Sequence, residues 1–317
     1  MSRDMLFAIG AGVLSAVAGV AFLSRSTGAL LFVYLASLPL FMAGLALGPR
    51  ALVIASGVGF FTAGLLGGGF VAGVYGLMQA VPAWLMVKQL LLQRPGAAGG
   101  GTAWYPLGEA LAWLTMLAAG VLVIAAVMTG SGDRGFAGVI ADNLDRILAE
   151  IAPRLEIQHR ARTVAVMAPI FPGAVGGSCM LMSVINAALA QNLLTRMKRN
   201  LRPTPEYATL ALPQWLSWPL VGSAALALIG PSDIAYTGRN LTLVFAVPFF
   251  FVGLAVAHTL TRRVAYAGIL LAGFYFVLFL SGWAMLAVAG IGMAEQWVGL
   301  RGRFSGRPAG GPPANTN

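Results

Sequence analysis

Long apolar runs, separated by short stretches of Gly, Pro, Ser or basic residues, dominate this chain. Most runs hold about 20 residues, enough for one α-helix to cross a hydrocarbon layer about 30 Å thick. Polar and apolar residues do not alternate within them, so the strands of a membrane β-barrel are not predicted. The pattern predicts an all-α fold, a polytopic transmembrane helical bundle of about eight to ten spans. The predicted spans are Met5–Leu23, Gly28–Leu47, Ala51–Leu66, Phe70–Leu91, Tyr105–Met128, Gly173–Leu194, Leu212–Ile229, Leu241–Leu260 and a last apolar stretch from Val264 to about Met293.

Turn-forming residues place several boundaries between these spans. Gly67-Gly68-Gly69 predicts a tight return, and Pro82 predicts a kink. Residues 88–101 contain a glycine cluster and are expected to form a flexible loop. The last apolar stretch is either one span or two short helices that break near Ser281-Gly282. Together, residues 1–300 are predicted to form a single transmembrane domain, and the Gly-, Pro- and Arg-rich tail at 301–317 is expected to be disordered.

The segment 132–162, between the fifth and sixth spans, has a different pattern. Apolar residues recur at spacings of three and four, from Phe136 to Leu155, and charged residues such as Asp142 and Arg146 occupy the opposite face. This periodicity predicts one amphipathic helix that lies along the membrane surface or caps the bundle.

Basic residues in the short loops predict the orientation of the chain. The loop 195–206 carries four basic residues against the single acid Glu206. The positive-inside rule therefore places it in the cytoplasm, together with the N-terminus. The amphipathic segment and the loop that holds Asp233 are then predicted to be extracytoplasmic. An even number of spans, ten, would also bring the basic tail inside.

Composition excludes several functional classes. Only 9% of the residues are charged and 58% are hydrophobic, so lipid is the expected partner of much of the surface. The net charge of +10 is spread over short loops, so no nucleic-acid partner is predicted. His159 and His258 are far apart, and Cys179 is the single cysteine, so no metal site is predicted. The sequence has no phosphate-binding loop or protease motif, so we predict neither an enzyme nor a cofactor.

Polar residues within apolar spans are the candidate functional residues, because burying them in lipid is costly. Asn186 is the most central, and it has two interpretations: a hydrogen bond between helices, or the lining of a small-molecule pocket. The candidate pocket or helix-bridging residues are Gln79, Glu109, Asn186, Gln191 and Asn192.

Small residues at four-residue spacing mark one face of the first span. Ala8, Gly12 and Ala16 fall on this face, and such spacing lets helix backbones approach closely. Two interpretations are open: close packing within the bundle, or a docking face for another membrane subunit.

Several short motifs resemble the YybS-like family of predicted bacterial membrane proteins, a domain of unknown function. They include Pro172 before the sixth span, Asn186 within it, and the basic exit Arg196–Arg199. The family pattern also ends in a Gly, an acid three residues later, then a Trp and an Arg. Here the matching residues are Gly292, Glu295, where Asp is commoner, Trp297 and Arg301, after earlier matches at Leu212-Pro213 and at Gly253 to His258.

The YybS-like family is distantly similar to the substrate-binding S components of energy-coupling-factor vitamin transporters. This resemblance implies a multi-pass protein of the bacterial inner membrane that binds or takes up a small molecule with partner subunits. It also implies that Ala8, Gly12 and Ala16 could form a docking face for a coupling subunit. The alternative is a membrane scaffold in envelope assembly that transports nothing and uses the amphipathic segment and the basic loops.

Overall fold

The computed structural model describes residues 2–24, 28–95, 102–130, 132, 134–261, 264 and 266–304. Helices dominate, as predicted for an all-α membrane protein. The helices of the first half are α1 (Arg3–Gly19), α2 (Ala29–Leu35), α3 (Leu38–Leu47), α4 (Pro49–Tyr75), α5 (Val81–Leu90) and α6 (Leu107–Gly130). Those of the second half are α7 (Gly135–Ile151), α8 (Ile157–Met167), α9 (Phe171–Arg196), α10 (Ser217–Ile229), α11 (Ser232–Thr261), α12 (Ala267–Leu280), α13 (Gly282–Val298) and α14 (Leu300–Phe304).

The described residues pack as two compact units. The first unit contains residues 1–118 and 175–205, and the second contains residues 119–174 and 206–317. Each unit therefore combines helices that are distant in sequence, and each is described separately below.

Gly68 turns the chain back on itself within α4, in the first unit. Its φ of 83° lies in the left-handed region that glycine adopts without strain. The helix segments on either side of it approach one another. A Cβ added to Gly59 would overlap the Tyr75 hydroxyl, and one added to Gly64 would lie 3.4 Å from the Ala72 Cβ. The two halves of α4 therefore form an antiparallel hairpin, which confirms the predicted return.

The small-residue face of α1 is covered by α4. Ala8, Gly12 and Ala16 are buried, and a Cβ on Gly12 would overlap the carbonyl oxygen of Ala55. The Ser15 hydroxyl, on the same helix, lies 2.7 Å from the Tyr75 hydroxyl. The face is therefore occupied within the first unit, which agrees with close packing and leaves this surface unavailable to a partner subunit.

Six helical segments among the described residues are long and apolar enough to cross a membrane, or seven when α12 and α13 count as one bent span. This count is lower than the predicted eight to ten for two reasons. The segment Pro49–Leu90 contains both halves of the α4 hairpin, and the apolar helix Gln214–Ile229 is shorter than a full span. The break predicted near Ser281-Gly282 is confirmed, since α12 and α13 meet there at 118°.

The region predicted to be a flexible loop at 88–101 is partly ordered. Helix α5 continues to Leu90, and strands β1 (Gln93–Pro95) and β2 (Thr102–Trp104) pair antiparallel. Residues 96–101, which hold the glycine cluster, lie outside the described residues.

The amphipathic segment forms two helices where one was predicted. Helix α7 ends at Ile151, and α8 begins at Ile157. Arg160 of α8 reaches back to Asp145 of α7, with 2.7 Å between Nε and Oδ1. The apolar stripe of α7 is buried at Phe136 but 70% exposed at Ile151, as expected for a helix that meets lipid at one end.

A partly buried ion pair joins Glu295 and Arg301 in the second unit. Arg301 donates to the Glu295 carboxylate through Nε at 2.7 Å, and its other guanidinium nitrogens donate to the carbonyls of Ala208 and Leu210. Gln296 donates to the Leu212 carbonyl at 2.9 Å. Residues 300–304 therefore form helix α14, which differs from the disorder predicted from residue 301; the rest of the tail, 305–317, lies outside the described residues.

We expect Gly12→Ala to lower the melting temperature of the detergent-solubilised protein, because the new methyl group must push the α4 backbone away. Overpacking of this kind costs about 1–3 kcal/mol. Gly10→Ala is the matched control, since a Cβ at Gly10 meets no atom within 4 Å among the described residues. Equal melting temperatures for the two variants would contradict the packing of α1 on α4.

We expect Arg301→Leu to destabilise the second unit by about 3 kcal/mol, because it leaves the buried Glu295 carboxylate without its partner. The exposed Arg303, two residues later, provides the control Arg303→Leu. Thermal unfolding followed by tryptophan fluorescence should separate the two. A small loss in both variants would show that the ion pair does not hold this end of the structure.

Candidate functional site

The second span of the first unit is interrupted at its centre, between α2 and α3. Pro39 has no N–H, and its ring displaces the carbonyl one turn earlier, so the regular helix cannot continue through this position. The Ala36 N–H bonds instead to the Val33 carbonyl, three residues back. Carbonyls near such a break need other donors, because lipid offers none.

Two side-chain amides donate to these carbonyls. Asn186 Nδ2 lies 2.6 Å from the Tyr34 oxygen, and Gln79 Nε2 lies 3.5 Å from the Val33 oxygen. The same two amides both contact Met182 of α9, Asn186 at its carbonyl and Gln79 at its sulfur. Two of the predicted candidates, Gln79 and Asn186, are therefore brought together at one helix break, in the helix-bridging role.

Gln79 reaches this position from a local irregularity in its own helix. Residues Gly76–Ala80 form a π-helical turn between α4 and α5, and such turns are frequent at functional sites. The Cys179 thiol donates to the Met78 carbonyl within this turn, at 3.4 Å. We call Ser37, Gln79 and Asn186 the amide cluster, with the carbonyls of Val33 and Tyr34.

Each side chain of the amide cluster has one oxygen without a hydrogen-bond partner among the described residues. These atoms are Ser37 Oγ, Gln79 Oε1 and Asn186 Oδ1. The three residues are 1%, 4% and 0% exposed. A buried polar atom without a partner costs about 1–3 kcal/mol, so three in one place indicate either a strained junction or a site for a missing group.

A cavity of about 240 Å³ lies in the second unit, where α6 ends and where α7 and α11 begin. Its lining is mostly apolar, with Asp233 and Thr237 as the polar residues. We call it the Asp233 cavity. Among its apolar lining residues are Val123, Val127, Phe136, Leu226 and Ile234.

The Asp233 carboxylate lies against the first residue of α7. Gly135 has a φ of 61°, and a Cβ there would overlap the carboxylate, so glycine is required on both counts. The N-terminus of a helix attracts negative charge. In the described part of the chain Asp233 makes no ion pair, so its charge is available to a ligand in the cavity.

Two buried polar residues of α11 hold the chain beside this cavity. Tyr236 donates to the Ala168 carbonyl at 2.7 Å, and its ring packs edge-on against Phe136. Asn240 donates to the Pro169 carbonyl at 3.1 Å and accepts from the Gly173 N–H at 2.8 Å. Asn240 thus stabilises the junction between α8 and α9 by hydrogen bonds, as Asn186 does at the α2–α3 break of the first unit.

The remaining predicted candidates lie away from both places. Gln191 is buried and donates to the Arg202 carbonyl at 2.8 Å, which folds the basic loop back under the helices. Asn192 is exposed, and Glu109 is half-buried in the first turn of α6. None of the five predicted residues lines the Asp233 cavity.

Sequence reasoning missed Ser37, Asn240 and the cavity role of Asp233. Asn240 was placed just before a span predicted to begin at Leu241, whereas α11 begins at Ser232 and buries Asn240 inside the structure. The sequence did contain a signal for a buried polar site here: Tyr236 and Asn240 are polar, lie four residues apart and therefore fall on one helix face.

We expect Asn186→Leu to lower stability by about 1–3 kcal/mol, because the Tyr34 carbonyl loses a buried donor. Asn192→Leu, six residues later on the same helix and exposed, should leave the melting temperature nearly unchanged. Thermal unfolding in detergent measures both. If Asn186→Leu were as stable as the wild type, the amide would not be capping the helix break.

The comparisons with known proteins agree with the membrane fold. The comparison with curated proteins and the comparison with solved structures each found no match. A family model described as "Predicted membrane protein (DUF2232)" matches residues 13–295, a range that includes both the amide cluster and the Asp233 cavity. The chain therefore belongs to this family of predicted membrane proteins.

Proposed function

We propose that this protein binds a small organic cation at the Asp233 cavity and takes it up across the bacterial inner membrane with partner subunits. The single observation that carries the proposal is an apolar cavity lined by one carboxylate that forms no ion pair with any described residue. Ligand sites are usually concave and mostly apolar, with a few polar groups that fix orientation. In this proposal the protein itself catalyses no reaction.

The chemistry of the lining favours a ligand with an apolar body and a positive group. Val127, Phe136 and Ile234 offer apolar contacts, and the Asp233 carboxylate offers a charge-assisted hydrogen bond. Thr237 uses its hydroxyl hydrogen on the Asp233 carbonyl, so it can only accept from a ligand.

The predicted orientation supports capture from outside the cell. The positive-inside rule puts the N-terminus in the cytoplasm, and it puts the α7–α8 segment and the start of α11 on the outer side. The cavity lies between these elements, where a ligand would arrive before transport.

The resemblance to the YybS-like family, and through it to transporter S components, supports a partner-dependent uptake step. The partner cannot dock as that resemblance implies, because Ala8, Gly12 and Ala16 are covered by α4. A coupling subunit would therefore use a different face.

The alternative function is a scaffold in envelope assembly. It is favoured by the exposed apolar residues of the amphipathic segment, including Ile151 and Ile157, which are 70% and 76% exposed. A scaffold needs no ligand, so ligand binding separates the two functions.

Phenethylammonium tests the binding step, with the neutral 2-phenylethanol as its matched compound. We expect the cation to raise the melting temperature of the purified protein by a few degrees, since a ligand at ten times its Kd stabilises by about 1.4 kcal/mol. Asp233→Asn should remove this shift, and Asp4→Asn, at the exposed start of α1, should keep it.

Two results would overturn the binding step: no shift with either compound, or an equal shift in Asp233→Asn and the wild type. The uptake step has a separate readout. Isolation from the native membrane should yield a coupling subunit with the chain, and isolation of the chain alone would refute uptake while leaving binding intact.

A further inference from the structure

The amide cluster contains three buried oxygen atoms in the first unit that have no hydrogen-bond partner among the described residues. Ser37 Oγ, Gln79 Oε1 and Asn186 Oδ1 are all buried, and none has a partner in the described ranges. Buried polar groups in native proteins are nearly always satisfied by protein, water or an ion. Three exceptions at one junction therefore call for a bound group.

Shared contacts bring two of the three side chains, Gln79 and Asn186, together at the helix break. Gln79 and Asn186 both touch Met182, and they donate to the neighbouring carbonyls of Val33 and Tyr34. Ser37 lies in the turn between α2 and α3, three residues after Tyr34.

The amide nitrogens are already committed to the carbonyls of the break. What each amide still offers is its oxygen, and the Tyr34 carbonyl has a second lone pair after accepting from Asn186. The cluster is therefore rich in acceptors, with the Ser37 hydroxyl hydrogen as its remaining side-chain donor. A positive ion satisfies such a set better than another acceptor can.

We infer that the amide cluster is a binding site for a monovalent metal cation such as Na⁺. Every ligand is neutral, whereas Ca²⁺ and Mg²⁺ sites draw on carboxylates. Broken membrane helices commonly coordinate Na⁺ through freed backbone carbonyls near the break, and the α2–α3 break supplies such a carbonyl at Tyr34. The π-helical turn places Gln79 as a ligand on a second element, and α9 supplies Asn186.

This site is separate from the Asp233 cavity. All of its residues belong to the first unit, and it holds a metal ion where the cavity is proposed to hold an organic cation. The two inferences can therefore fail independently.

Sodium chloride tests the site against choline chloride at equal concentration. All proteins compared carry Asp233→Asn, because choline is itself an organic cation that the Asp233 cavity could bind. We expect Na⁺ to raise the melting temperature of the detergent-solubilised protein with an intact amide cluster by a few degrees, with saturation. Ser37→Ala should weaken the Na⁺ response about tenfold in concentration. Its melting temperature in choline should not fall, because Ser37 Oγ bonds to no described residue.

Ser217→Ala is the matched control. Ser217 is also buried with an unpartnered hydroxyl among the described residues, but it lies in the second unit. It should keep the full Na⁺ response. Binding of radioactive ²²Na⁺ to the purified wild type, displaced by unlabelled Na⁺, provides a readout that does not depend on stability.

Three results would overturn the inference. The first is no difference between Na⁺ and choline, as expected if water fills the cluster. The second is an equal Na⁺ response in Ser37→Ala and the protein with an intact amide cluster. The third is ²²Na⁺ that unlabelled Na⁺ does not displace.

Discussion

The structure depends on satisfying backbone carbonyl groups where membrane helices are interrupted. Pro39 interrupts the second span, and in lipid the carbonyls near such a break have no water to bond. Asn186 supplies a donor to the Tyr34 carbonyl, and Gln79 adds a second, long hydrogen bond to the Val33 carbonyl, which already accepts from the Ala36 N–H. The break beside this proline is therefore a place where helices of the first unit meet, and the inferred cation site lies next to it.

The second unit uses the same solution at its own irregular segments. Asn240 and Tyr236 bond to the backbone at the junction of α8 and α9, and Gln296 and Arg301 bond to the carbonyls of residues 208–212. These bonds hold non-helical backbone in place next to long helices. They also fix the start of α11, where Asp233 meets the N-terminus of α7 and forms the edge of the cavity.

The sequence was sufficient for features that depend on local patterns. Apolar run length predicted an all-α membrane protein, the three glycines predicted the return at Gly68, and Ser281-Gly282 marked a real break. Asn186 was identified because a polar residue inside an apolar run is conspicuous. Its partners were not predictable, since the Tyr34 carbonyl is 152 residues away and a backbone oxygen carries no sequence signal. The Asp233 cavity was not predicted either. Four helices form it, and no local sequence pattern shows that these helices lie close together.

A double-mutant cycle between Pro39 and Asn186 tests the central claim most directly. Pro39→Leu restores a backbone N–H and lets the helix continue, so the Leu38 N–H could reach the Tyr34 carbonyl, four residues back, and replace the side-chain donor. We expect Asn186→Leu to cost at least about 1 kcal/mol less in the Pro39→Leu background than in the wild type, well outside the usual additivity error. If the two free-energy changes simply add, Asn186 does not act on the break that Pro39 creates, and the account of this junction is wrong.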